Sequence, residues 1–80
     1  MHEIEKRVRH ALRMALGGTV DVGGLDRSDD LFAAGMTSHQ TVQVMLRLED
    51  EFDVEFADEE LVKATFATID SMVAALAVHS

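Results

Sequence analysis

The sequence predicts an all-α bundle of three main helices and one short helix, with a long first loop. Three observations predict it. Apolar residues recur at helical spacing in three separate segments. Helix-terminal chemistry marks those segments, a glycine pair after the first and a threonine before the second and the last. No stretch alternates long enough to compete as a strand, since Val54-Glu55-Phe56 is too short.

The first helix is expected from about His2 to Leu16. Ile4, Val8, Ala11, Leu12 and Ala15 form one apolar stripe, and charged residues occupy the other faces. Gly17-Gly18 ends it, as a C-terminal glycine commonly does. Gly17 to Met36 is then a long connection. Structureless loops of this length are uncommon in compact domains and are often functional. Val20, Val22, Leu25, Leu31 and Phe32 are expected to pin it onto the core, and Ser28 to start a short turn through Asp29-Asp30. As a calcium loop counted from Asp26 it fails, because position six is Leu31 and not Gly, and position twelve is Thr37 and not Glu.

The second helix is expected from Ser38 to about Phe52. Thr37 and Gln40 make T-x-x-Q, a capping box. Val44, Leu48 and Phe52, with Thr41 and Met45 beside them, form the expected buried face. Val42 and Leu46 lie on a second line, so the helix is either buried all round or turns one apolar line to a partner. A short helix follows over roughly Asp58 to Ala64, with Asp58 as cap and Glu59 and Glu60 in the first turn, where the helix dipole favours acids. The last helix runs from about Ile69 to Val78, capped by Thr68 and buried through Ile69, Met72, Val73 and Leu76.

Eighty residues make one domain, here 1–80, with a small core. The absence of cysteine excludes a disulfide framework and a thiolate metal site. No apolar run approaches the ~20 residues of a membrane span, and the N-terminus lacks an apolar signal core. A soluble, cytoplasmic protein is therefore expected. Charge is uneven: residues 1–16 hold four bases and two acids, residues 17–80 three bases and thirteen acids. An acidic body argues against nucleic acid, whose phosphates need clustered Lys and Arg, and suits basic protein partners or plain solubility.

Little points to catalysis. His2, His10, His39 and His79 are scattered, form no zinc motif, and read as solvated surface residues. No G-x-S-x-G elbow surrounds Ser38. Ser38 and His39 point about 100° apart on a helix, a poor arrangement for a base to deprotonate a hydroxyl. The expectation is no enzyme activity, no catalytic residue and no metal. Ser38 instead suits modification. It stands in the first helical turn, where free N–H groups and the dipole favour a phosphate, and it follows an accessible loop. Ser38, Val42 and Leu46 share one face, with Glu49 and Asp50 near its end, so a partner can dock there while working on Ser38. The plainer alternative is that Thr37 and Ser38 only cap the helix and that Val42 and Leu46 are core.

Here the chain resembles the acyl carrier and peptidyl carrier protein superfamily over nearly its whole length. The resemblance rests on the first amphipathic helix, the loop ending DDLFAAGMTS, the helix SHQTVQVMLRLEDEF, the DVEFADEEL turn and the final ATIDSMVAAL. It implies a four-helix carrier-protein bundle in which Ser38 bears 4′-phosphopantetheine from coenzyme A, attached by a separate phosphopantetheinyl transferase. An acyl or aminoacyl group would ride on that arm as a thioester. Thr37, His39, Val42, Leu46, Glu49 and Asp50 would meet partner enzymes, and the carrier would be a monomer. The family usually shows Asp-Ser-Leu where this chain has Thr37-Ser38-His39, and Gln43 and Arg47 stand where fatty-acid carriers tend to be more acidic. The T-S-H core, LEDEFDVEF and the K-x-T-F of Lys63 to Phe66 are similar to stand-alone carriers served by class II synthetase-like amino acid:carrier-protein ligases. An amino acid is thus the expected cargo. The alternatives are a fatty-acyl or polyketide-type carrier, served by acyl-transfer enzymes, and an unmodified helical interaction domain.

Overall fold

The structure, a computed structural model, describes residues 2–79, without the side chain of His2. Its helices are α1 (His2–Leu16), α2 (Ser38–Phe52), α3 (Lys63–Phe66) and α4 (Ile69–His79). Short 3-10 turns occupy Val22–Gly24 and Asp58–Glu60, and no strand occurs among the described residues. The all-α expectation holds.

Helix α1 is the centre of the packing and lies against both α2 and α4. Val8, Ala11, Leu12 and Leu16 are buried, while Ile4 and Ala15 pack at the edge. Gly17 ends the helix with φ +63° and donates its N–H to the Arg13 carbonyl at 3.0 Å. That left-handed geometry costs a side-chain-bearing residue about 1 kcal/mol, which is why glycine stands there.

The long loop is held to the bundle at many points. Val20, Val22, Leu31 and Met36 are buried, with Leu25 and Phe32 packed beside them. Arg9 Nη1 on α1 donates to the carbonyls of Val22 and Leu25, each at 3.0 Å. The Leu31 N–H reaches the Ala67 carbonyl at 2.8 Å, and the Asp70 N–H reaches the Arg27 carbonyl at 2.9 Å. Arg27 also bridges Glu5 on α1 (3.1 Å) and Asp70 on α4 (2.9 Å). The loop is thus an ordered layer that delivers α2 to a defined place. Its turn is organised by Asp30, whose Oδ1 accepts the Phe32 N–H at 2.9 Å, and not by Ser28.

Two expectations need correction. The single short helix over 58–64 is two pieces, because the chain leaves helical geometry at Leu61 and Val62. Asp58 does not cap; the Glu60 carboxylate accepts the Ala57 N–H at 2.7 Å. Helix α4 also runs on to His79, one residue past the expected end. Its Thr68 cap is as expected: Thr68 Oγ1 accepts the Ser71 N–H at 3.0 Å. The core further includes Met36, Phe56 and Phe66, which lie outside every periodic stripe. Phe56 and Phe66 meet edge to face, with centroids 5.6 Å apart.

Candidate functional site

Helix α2 begins on a complete capping box. Thr37 is extended (φ −91°, ψ 164°), and its Oγ1 accepts the Gln40 N–H at 3.1 Å. Gln40 Oε1 accepts the Thr37 N–H at 3.0 Å in return. Gln40 Nε2 donates onward to Thr19 Oγ1 at 2.9 Å, which ties the helix start to the beginning of the loop. The box satisfies Thr37 and Gln40 and skips the two residues between them. The N–H groups of Ser38 and His39 find no acceptor among the described residues. Ser38 is exposed, and its hydroxyl is free of partners there too.

Ser38 stands at the lip of a cleft of about 310 Å³ between α2, the loop and the α3 region. Phe32, Val42, Met45, Leu61, Val62 and Phe66 make its apolar walls. Ser38, Thr41 and Lys63 supply its polar rim, and no carboxylate lines it. The Lys63 ammonium lies 4.7 Å from the centroid of the Phe32 ring, in cation–π contact. On the outer side of α2, Gln43, Leu46, Arg47 and Asp50 border a second, shallow depression.

The structure decides between the two readings of the second apolar line. Val42 and Leu46 are 48% and 52% exposed, whereas Val44 and Leu48 are fully buried. Thr37, His39 and Asp50 are exposed along the same helix. Glu49 differs: it is half-buried, and its Oε2 accepts the Phe56 N–H at 2.9 Å. Of the two acids near the end of the line, Asp50 is the one presented to solvent. Among the other histidines, His10 is exposed, and the side chain of His2 lies outside the described residues. His79 was expected to be merely solvated, yet its Nε2 lies 2.9 Å from Glu60 Oε1 and its ring stands edge-on to Phe56. Because α4 extends to His79, its ring reaches the turn before α3. Glu60 is held below the ordinary carboxylate range by the Ala57 N–H first and by His79 second.

Chemically, this site offers a nucleophile without a base. No titratable partner touches the Ser38 hydroxyl, and no group of three or more metal-ligating side chains occurs among the described residues. The arrangement suits a hydroxyl that receives a group from outside. The profile of the family described as "Phosphopantetheine attachment site" matches residues 6–76.

The chain belongs to this family.

Phosphopantetheine is thus the family's cofactor, and the donor set fits it. There is a free hydroxyl, there are two unpartnered N–H groups at a helix start of the kind that suits a phosphate, and an apolar cleft lies beside them with one lysine in its lining. Among similar proteins is the aminoacyl carrier protein of Agrobacterium fabrum (strain C58 / ATCC 33970), 46% identical over 43 residues. The aligned stretch is 54% of this chain and about half (52%) of that relative. The fold matches a chain in the crystal structure of an engineered Bradyrhizobium japonicum glycine:[carrier protein] ligase complexed with carrier protein from Agrobacterium tumefaciens and ATP. That match has a TM-score of 0.84 and 32% identity, covering 94% of this chain and 97% of the other. The corresponding complex with AMP matches at a TM-score of 0.74 and 32% identity, over 86% of this chain and 97% of that one.

Sequence reasoning placed Ser38 and Val42 on one face of α2 but gave no cleft. Met45 belongs by periodicity with the buried face, and Lys63 and Phe66 enter only through the motif that carries the resemblance. Leu61 and Val62 lie before a four-residue helix, where no periodic signal marks them.

Proposed function

We propose that this protein is an aminoacyl carrier, with Ser38 as the attachment point of 4′-phosphopantetheine. The observation that carries the reading is the free Ser38 hydroxyl in the first turn of α2, where the N–H groups of Ser38 and His39 are unpartnered, beside an apolar cleft. In the attachment step, Ser38 Oγ bonds to the phosphorus bearing pantetheine in coenzyme A, and adenosine 3′,5′-bisphosphate leaves. A separate phosphopantetheinyl transferase would take the hydroxyl proton, because this chain sets no base beside Ser38. The arm supplies a terminal thiol, which this cysteine-free chain lacks, for a thioester.

This chain's own work is then presentation and recognition, with no bond chemistry. Val42 and Leu46 would give a partner apolar contact, Asp50 would steer its basic groups, and Thr37 and His39 would border the arm. Glu49 would act mainly through the turn it holds. An amino acid:carrier-protein ligase is the proposed loading partner. The names of the similar proteins, together with the T-S-H core, favour an amino acid over a fatty-acyl or polyketide intermediate. A monomer in the cytoplasm suits these roles; no described helix is long and apolar enough to cross a membrane.

Co-expression with a broad-specificity transferase tests the attachment. Intact mass should rise by one phosphopantetheine, and Ser38→Ala should abolish the gain. The modified protein, given ATP, an amino acid and a glycine:[carrier protein] ligase, should then acquire a hydroxylamine-labile aminoacyl group. An unmodified native protein would overturn the attachment. A modified protein that accepts acyl but never aminoacyl groups would overturn the cargo.

A further inference from the structure

Residues 17–80 hold three cations among thirteen acids, and the structure uses them differently. Arg27 is bound between two carboxylates, Glu5 and Asp70. Arg47 borders the shallow depression on the outer side of α2. Lys63 lines the same cleft as Ser38, has no carboxylate partner among the described residues, and rests on the Phe32 ring. A lysine in so acidic a chain ordinarily has a choice of carboxylates. This one lines a cleft without any, and where Ser38 borders that cleft α2 begins with the unpartnered N–H groups of Ser38 and His39. Each of these features favours an anion at the Ser38 end of the cleft.

We infer that Lys63 is the positioning residue for the phosphodiester on Ser38, its ammonium forming the counter-ion from the α3 side while the first-turn amides of α2 serve from the other. The inference rests on Ser38 being the attachment point. Phosphate is the stronger partner for an ammonium than a ring face at an exposed site. The ammonium therefore leaves Phe32 when the phosphate is present, and the lysine fixes the direction in which the arm departs. Lys63 takes no part in forming the bond. Its four-carbon stem gives it the reach to follow the phosphate along the apolar wall of the cleft.

The chain has only two lysines, so Lys6 on α1 is an internal control. The test is NMR of both ammonium groups in the unmodified and the phosphopantetheine-bearing protein. The Lys63 ammonium resonance should shift on modification, and the shift should shrink at high salt. The Lys6 resonance should stay put. The phosphorus resonance of the modified protein should move in Lys63→Gln and return towards its native position in Lys63→Arg. Full modification with an unmoved Lys63 resonance, or the same phosphorus signal in Lys63→Gln, overturns this inference and leaves the attachment intact. Failure of Ser38 to gain mass overturns both.

Discussion

Removing the Thr37 side chain tests the physical account of the helix start. Thr37→Ala loses the acceptor for the Gln40 N–H, a 3.1 Å bond, and leaves the Gln40-to-Thr37 return bond at 3.0 Å without its counterpart. Thr37 is exposed, so no cavity opens, and the cost is that of an N-cap, about 1 kcal/mol. For 80 residues the unfolding entropy is about 170 cal/mol/K, so 1 kcal/mol lowers Tm by about 6 °C. Thr37→Asp keeps the acceptor and adds a charge that the dipole favours, so Tm should hold or rise slightly. Gln40→Ala should cost at least as much as Thr37→Ala, because it also breaks the bond to Thr19 Oγ1. Calorimetry of the three variants decides. A Thr37→Ala drop under 1 °C, or a Thr37→Asp protein as unstable as Thr37→Ala, would mean that packing and not capping sets the helix start. The same fraying loosens the backbone at Ser38, so transferase modification of Thr37→Ala should be slower than native by intact-mass time course.

Leu48→Ala and Leu46→Ala should separate the two apolar lines of α2. Leu48 is fully buried, so its truncation should cost ~2–5 kcal/mol in guanidinium unfolding, while half-exposed Leu46 should cost under ~1 kcal/mol. Leu46→Ala should instead slow loading by a ligase, and equal loading of the two proteins would argue against the docking role. Glu60 gives a pH prediction. Its folded carboxyl titrates below its ordinary value of 4.5, so its stabilisation is present above that pH and is lost as pH falls through the lowered value. Glu60→Gln, which removes the charge but keeps an acceptor for Ala57, should make the acid limb of Tm against pH shallower. An unchanged limb would show that neither the Ala57 N–H nor His79 favours the Glu60 carboxylate in solution.

Much of this protein is legible in its residues because the signals are local. The α2 boundaries follow from a cap and a period confined to sixteen neighbouring residues, Thr37 to Phe52. The Gly17 terminus and the Thr68 cap are similarly self-contained. Errors gather where the chain is short of period. The 58–64 stretch reads as one helix because two acids, Glu59 and Glu60, follow Asp58, a capping type of residue, yet Leu61 and Val62 leave helical geometry and line the cleft. Phe56 and Phe66 are core because they meet each other across ten positions of sequence, which no periodicity registers.

By itself, the sequence determined the all-α class, the capped start of α2 and the exposed hydroxyl of Ser38, since each depends on bonds between residues within four positions of one another. Tertiary structure alone decided that Val42 and Leu46 face solvent while Val44 and Leu48 are covered, because α1 can cover only one side of α2. It also decided that Glu49 is tied to Phe56 and that His79 returns to Glu60. Above all it brought Lys63 to the cleft that Ser38 opens on, a meeting of residues twenty-five positions apart that follows from packing and from no local rule.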